Sequence, residues 1–203
     1  MGSSCFLAIF PQQIHPMNNA YLEDVLASAD GFMAAIQPAF GALTAAQLNW
    51  KPSPQRWSIA QCLDHILITN KLYFPMLVQI ADGTRRSRKR ERLPLLPRMW
   101  GKMLVQASGP EGRRKTKTAS HLEPSSSTID PGILTEVVDN LQILKDLILR
   151  TDHVDHSETV ITSPVAGFIT YTLQDGCTIM VAHAHRHLKQ AKEVQAEAAF
   201  PTA

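Results

Sequence analysis

The segment SIAQCLDHILITNKLYFPML, residues 58–77, is apolar around most of its circumference when wound as a helix. A helix with so little polar face must be buried by neighbours on several sides. The chain therefore has to supply other long helices to cover it, and it does. Apolar residues recur at helical spacing over about 18–42, 58–81, 131–150 and 172–198, and no alternating strand pattern of useful length interrupts them. In WSIAQC, Ser58 and Gln61 form an S-x-x-Q capping box that starts the second helix, and Trp57 can staple onto Cys62 across that start. Asp130 followed by Pro131 reads as cap and first-turn proline of the third helix. Thr172 and Asp175 cap the fourth, while Gly31 and Pro38 weaken the interior of the first.

Four long helices in 203 residues make one domain. The expected architecture is all-α: a four-helix bundle over 18–198, preceded by an N-terminal tail, 1–17. The short link 43–57 sets helices one and two antiparallel. One long crossover, about 82–129, joins helices two and three and leaves the direction of helix three open. It carries the basic run RRSRKRER (85–92), a short helix near 95–106 and turns ending in EPSSSTID. A polar link, 151–171, leads into the fourth helix.

Several functional classes fall away on composition. Formal net charge is +2, too small for a dedicated nucleic-acid binder. RRSRKRER reads as a solvated basic loop, because no aromatic residue interleaves it for base stacking. No apolar stretch approaches the ~20 residues of a membrane span. The start, MGSSCFLAIFPQQIHP, has no basic leader, and Phe6 breaks the myristoylation pattern. Cys5, Cys62 and Cys177 are an odd, widely spaced set, which fits a reducing compartment; the cytoplasm is the expected location. Cys62 and Cys177 read as small buried hydrophobes.

The chemistry lies in VAHAHRHLKQAK, residues 181–192, which places three histidines in five positions. On a helix, residues four apart lie about 40° apart around the axis and residues two apart about 200°. His183 and His187 therefore share a face with Leu173, Met180, Ala191, Val194 and Ala198, whereas His185 points away among Lys189 and Lys192, toward solvent. Two imidazoles one turn apart can reach one metal ion, although two core histidines satisfied by other partners would show the same spacing. His65 on the second helix shares the face of Ile68, Leu72 and Met76, and so also points inward. Three inward histidines on two helices of one bundle point to a three-histidine site that would leave a metal ion at least one open position, with satisfied core histidines as the alternative.

The segments NWKPSPQRWSIAQCLDHI (49–66) and TYTLQDGCTIMVAHAHRHLKQAKEV (170–194) resemble the DinB-like (DinB/YfiT) superfamily of metal-binding four-helix bundles. There, a tryptophan-serine helix start precedes a histidine, and the last helix carries H-x-x-R-H or H-x-x-x-H followed by Leu and Gln. The resemblance spans most of 18–196, with KTKTASHLEPSSSTID (115–130) similar to the family's connection into helix three. It implies His65, His183 and His187 as metal ligands, with Arg186, Leu188 and Gln190 also fitting the pattern. Ala184 departs from it, standing where relatives often carry an acid.

Neutral imidazoles leave a bound divalent ion most of its charge, so it can activate water or hold a thiol as thiolate. The resemblance implies both uses, a thiol-dependent S-transferase and a metal-dependent hydrolase. Thiol transfer is preferred, since no carboxylate is clearly placed on the histidine faces; Asp64 lies about 100° around the helix from His65 and reads as a solvated or cap-proximal carboxylate. The sulfoxide-synthase use of the fold is set aside: Lys189 stands where that pattern has Glu, and the chain has no room for a second large domain. Imidazole suits zinc, nickel, copper and iron, with zinc expected first and a low-molecular-weight thiol as co-substrate. The expected partner is a small-molecule substrate, with no membrane or nucleic acid, and a homodimer is allowed. The competing class is a non-enzymatic, stress-related binding protein supported by the basic run.

Overall fold

The computed structural model describes residues 17–92, 96–110 and 118–202, excepting the side chains of 96–100. Of the expected tail 1–17, all but Met17 lies outside the described residues, and so does Cys5; parts of the crossover, 93–95 and 111–117, do too. Six α-helices and one small hairpin form: α1 (Leu22–Phe40), α2 (Ala45–Asn49), α3 (Ile59–Ala81), α4 (Leu96–Ser108), α5 (Ile133–Arg150), β1 (Val160–Thr162), β2 (Thr170–Thr172) and α6 (Leu173–Gln195).

The helix starts follow side-chain chemistry. Ser58 Oγ accepts from Gln61 N at 3.1 Å while Gln61 Oε1 accepts from Ser58 N at 3.2 Å, closing the capping box that opens α3. Thr172 Oγ1 accepts from Asp175 N at 3.0 Å at the start of α6. A second capping box, Thr44 with Gln47, makes a short helix α2 inside the link 43–57. Asp130 behaves differently from a cap: its carboxylate accepts from Gly132 N at 2.7 Å, closing a turn, and α5 begins only at Ile133. Likewise α1 begins at Leu22 rather than 18, because Asn18 and Asn19 bind Asp152 beyond the end of α5. α6 ends at Gln195, after which Phe200 folds back edge-on to Trp50.

Cross-helix contacts fix the directions. Asn19 meets Asp152 and Asp30 pairs with Lys145, so α1 and α5 are antiparallel. Asn70 bonds Asn140 and Asp82 pairs with Arg150, so α3 and α5 are parallel. Ser28 meets His185 and Ala39 meets Gln195, which makes α1 and α6 parallel. The bundle thus runs up-down-down-up, with α1 and α3 each packed against α5 and α6. Phe32, Phe40, Ile59, Leu63, Ile66, Leu77, Leu141 and Leu144 fill its centre.

Burial of α3 is nearly complete from Ile59 to Leu67. Beyond that its core stripe is Tyr73, Leu77 and Ile80, and Leu72, expected inward with His65, lies exposed. The crossover runs along the outside, with α4 packed on α6 and β2. The hairpin pairs Ile161 with Tyr171 and seats on α6, where a Cβ at Gly176 would stand 2.8 Å from Ile161 Cδ1. Glycine is what permits that approach.

A buried polar contact joins α3 to α5: Asn70 Nδ2 donates to Asn140 Oδ1 at 2.9 Å. Asn70→Leu should lower stability by about 1–3 kcal/mol by orphaning Asn140, and adding Asn140→Leu should restore most of it. Urea denaturation of the three proteins checks this.

Candidate metal centre

The site is built at the start of α3 and the second half of α6, which run antiparallel and face each other there. His65, His183 and His187 converge: each offers a ring nitrogen, and these atoms lie within 4.8 Å of one another. Ring centroids are 4.5 Å apart for His65–His187 and His183–His187, and 5.1 Å for His65–His183. The Nε2 atoms of His183 and His187 are 3.1 Å apart. Two zinc–imidazole bonds at a tetrahedral angle would set their nitrogens about 3.3 Å apart. The pair is therefore already near the spacing that one ion requires.

The ring of His65 is fixed by the crossover. Its Nδ1 lies 2.6 Å from the Leu122 carbonyl, which can only accept, so Nδ1 carries the proton and Nε2 keeps its lone pair. That arrangement, the distal nitrogen held by a backbone carbonyl, is the usual outer-shell support of a metal-binding imidazole. The loop supplying the carbonyl is itself pinned by α3. Asp64 Oδ2 accepts from Ser125 N at 2.6 Å, and Gln61 Nε2 donates to Ser126 O at 3.1 Å. His187 Nδ1 is buried without a hydrogen-bond partner, and Gln190 is the polar side chain that approaches its ring.

Electrostatics keep the cluster neutral. Burial, then the neighbouring His65 and the Arg186 guanidinium, push His183 down to about 3. Burial, followed by His183, His65 and Arg186, holds His187 well below the ordinary imidazole range. Burial also lowers His65, against the opposing pull of the Leu122 carbonyl and Asp64. Neutral imidazoles with free lone pairs are the ligand form, so the donor set fits a divalent ion.

A family profile described as the DinB superfamily matches residues 32–191, a span that includes all three histidines and Trp57. The chain belongs to the DinB superfamily. It is also 27% identical over 151 residues to the uncharacterized protein YuaE of Bacillus subtilis (strain 168), covering 73% of this chain and 83% of that protein. No solved structure matches it.

Within this DinB-superfamily bundle, His185 and Asp64 differ from their sequence reading, and Trp57 makes contacts beyond it. His185 is not a solvated ornament: its Nε2 sits 2.9 Å from Ser28 O and 3.1 Å from Ser28 Oγ, with the ring edge-on to Phe32. It belongs to the α1–α6 seam, because α6 is flanked by α1 on the side away from the site. Asp64 is buried at 7% exposure and spent on Ser125 N, since the crossover covers the face that helical geometry alone leaves in water. Trp57 lies over the site, its ring centroid 4.9 Å from His65 and 5.8 Å from His187. The sequence signal for that placement was its position just ahead of the helix that carries His65. Ala184 is fully buried.

The depressed values set a pH dependence. Unfolded histidines bind protons below about 6.5, whereas His183 in the fold does so only near 3. Its contribution to stability is complete above about 6.5 and is lost progressively as pH falls toward 3. Metal-free protein should therefore unfold at lower urea as pH drops from 7 through 5, and His183→Ala should flatten that slope. An unchanged slope in the variant would contradict the assignment.

Proposed function

We propose that this protein is a metal-dependent enzyme in which His65, His183 and His187 hold one divalent ion, zinc first, and a low-molecular-weight thiol is activated there for S-transfer to an electrophile. The observation that carries this reading is a largely buried, all-imidazole donor set whose neighbouring carboxylate is turned to a backbone amide. Among the described residues no acid or cysteine joins the three histidines. Asp64, adjacent to His65, turns Oδ2 to the Ser125 amide and does not join the three histidines. That favours transfer of a thiol, which reacts as its anion, over hydrolysis, which needs a positioned base beside the nucleophile. When bound, the ion supplies positive charge that favours thiolate over thiol near neutral pH.

The remaining roles belong to the chain. The Leu122 carbonyl holds the proton on His65 Nδ1 and so aims Nε2 into the cluster. Asp64 and Gln61 keep that carbonyl in place through Ser125 and Ser126. The indole of Trp57 walls the site beside His65 and His187, sheltering the reacting groups from water. Arg186 donates to the Ala107 carbonyl, tying the end of α4 to the ligand-bearing part of α6.

Protein purified without a histidine tag should carry one divalent ion per chain by elemental analysis. His65→Ala or His187→Ala should remove tight binding, and His185→Ala should leave it unchanged. Equal losses in all three would mean that the faces of α6 are misassigned.

The loaded protein should accelerate conjugation of a physiological thiol to a model electrophile. Its pH profile should lie below that of the free thiol, ordinarily ~8.5. Chelation or His183→Ala should return the rate to the uncatalysed one. Ester or amide hydrolysis that needs no thiol but needs the same histidines would replace this reading with a hydrolase. Intact metal loading without either activity would leave a binding protein.

A further inference from the structure

The basic run RRSRKRER is not used by the metal centre and lies far from it. At 1.5 Å per residue, about 24 Å of α3 separates His65 from Ala81, after which the run begins. It is anchored along the hairpin rather than loose in solvent. Glu91, the single acid of the run, is buried: it takes Arg85 at 2.7 Å and accepts from Thr162 N and Oγ1 at 2.9 and 2.8 Å. Arg85 also donates to the Val160 carbonyl at 3.1 Å, and Arg90 donates to the Gly167 carbonyl. With the acid turned inward, Arg86, Arg88, Lys89, Arg90 and Arg92 stand exposed, and none pairs with an acid among the described residues. The whole chain carries only +2, so the charge is strongly polarised toward this end.

Beside these cations stands Phe168, 81% exposed at the hairpin turn SPVAGF. Its exposure does not come from a frayed loop. Ser163 N donates to Ile169 O at 2.9 Å, Ile169 N to Ala166 O at 2.8 Å, and Ala166 N to Ser163 Oγ at 3.1 Å. Val165 and Ile169 on either side pack on the core. The turn is thus folded so that its neighbours go in and the aromatic ring goes out. No other aromatic ring among the described residues is comparably exposed.

We propose that this end of the bundle is a peripheral docking surface for an anionic lipid membrane, with Phe168 entering the interface and Arg86, Arg88, Lys89, Arg90 and Arg92 meeting lipid phosphates around it. An apolar prong within a basic collar matches an interface whose surface is negative and whose interior, a few ångströms deeper, is apolar. Single-stranded nucleic acid fits less well: one ring stacks one base, and SPVAGF has no amide side chain to read a base edge. No described helix is long and apolar enough to cross a membrane, so the contact is one of surface attachment.

Sedimentation of the full chain with vesicles of phosphatidylcholine alone, or of equimolar phosphatidylcholine and phosphatidylglycerol, tests the proposal. Binding is expected to the anionic vesicles only and to weaken with salt. Phe168→Ala should reduce partitioning roughly tenfold, and each of Arg86→Ser and Lys89→Ser about fivefold. Phe168→Trp should show a blue-shifted, quencher-shielded fluorescence increment with anionic vesicles. All variants should keep wild-type metal content and thermal unfolding, which separates this surface from the metal centre. Equal binding to both vesicle types, no binding to either, or wild-type binding by Phe168→Ala would overturn the proposal. So would tight binding to single-stranded DNA in a protein that ignores anionic vesicles.

Discussion

The bond from His65 Nδ1 to the Leu122 carbonyl joins two parts of the chain that have no local reason to meet. On one side is a helix buried on all faces over its first turns; on the other is the long crossover between α3 and α5. Helix α3 joins the two with one set of side chains. Gln61, Asp64 and His65 present an amide, a carboxylate and an imidazole to the Ser126 carbonyl, the Ser125 N–H and the Leu122 carbonyl of the crossover, and the crossover closes over the helix in return. Each of these polar groups would be costly to bury alone. Together they are satisfied, and the His65 ring is held in one tautomer and one direction.

That fixed ring is what turns two histidines on α6 into a possible ligand set. His183 and His187 lie one turn apart and reach toward each other, but a pair alone would be ordinary. With His65 opposite them, three neutral donors enclose a common point in a region where burial disfavours their charged forms. This packing leaves His187 Nδ1 buried without a partner, where a hydrophobic residue of similar size would fill the space with no orphaned nitrogen.

The opposite end of the molecule follows another logic. There the acid within a basic run is buried against a hairpin, and the cations it leaves behind surround an outward aromatic ring. The same helix, α3, therefore links a largely buried histidine cluster at its start to a charged, open surface past its end. Arg85 and Glu91 give that surface its shape through backbone contacts to β1.

The sequence by itself determined the bundle, the starts of α3 and α6, and the three histidines, because each is encoded over one or two helical turns. A capping box spans four residues, and the His183–His187 spacing is local geometry. The circumferential apolarity of α3 dictated burial without needing to know by what. What only the tertiary structure decided is everything set by partners distant in the chain. Parallel packing of α3 on α5 depended on a crossover whose path no local signal encodes. His185 looked solvated until α1 came to rest against that face and offered Ser28. Asp64 looked free until the loop carrying Ser125 covered it. The hairpin escaped notice because three-residue strands are too short to show an alternating pattern, and their pairing comes from seating on α6. Helical periodicity reports which way a side chain points from its own axis; only packing reports what stands there.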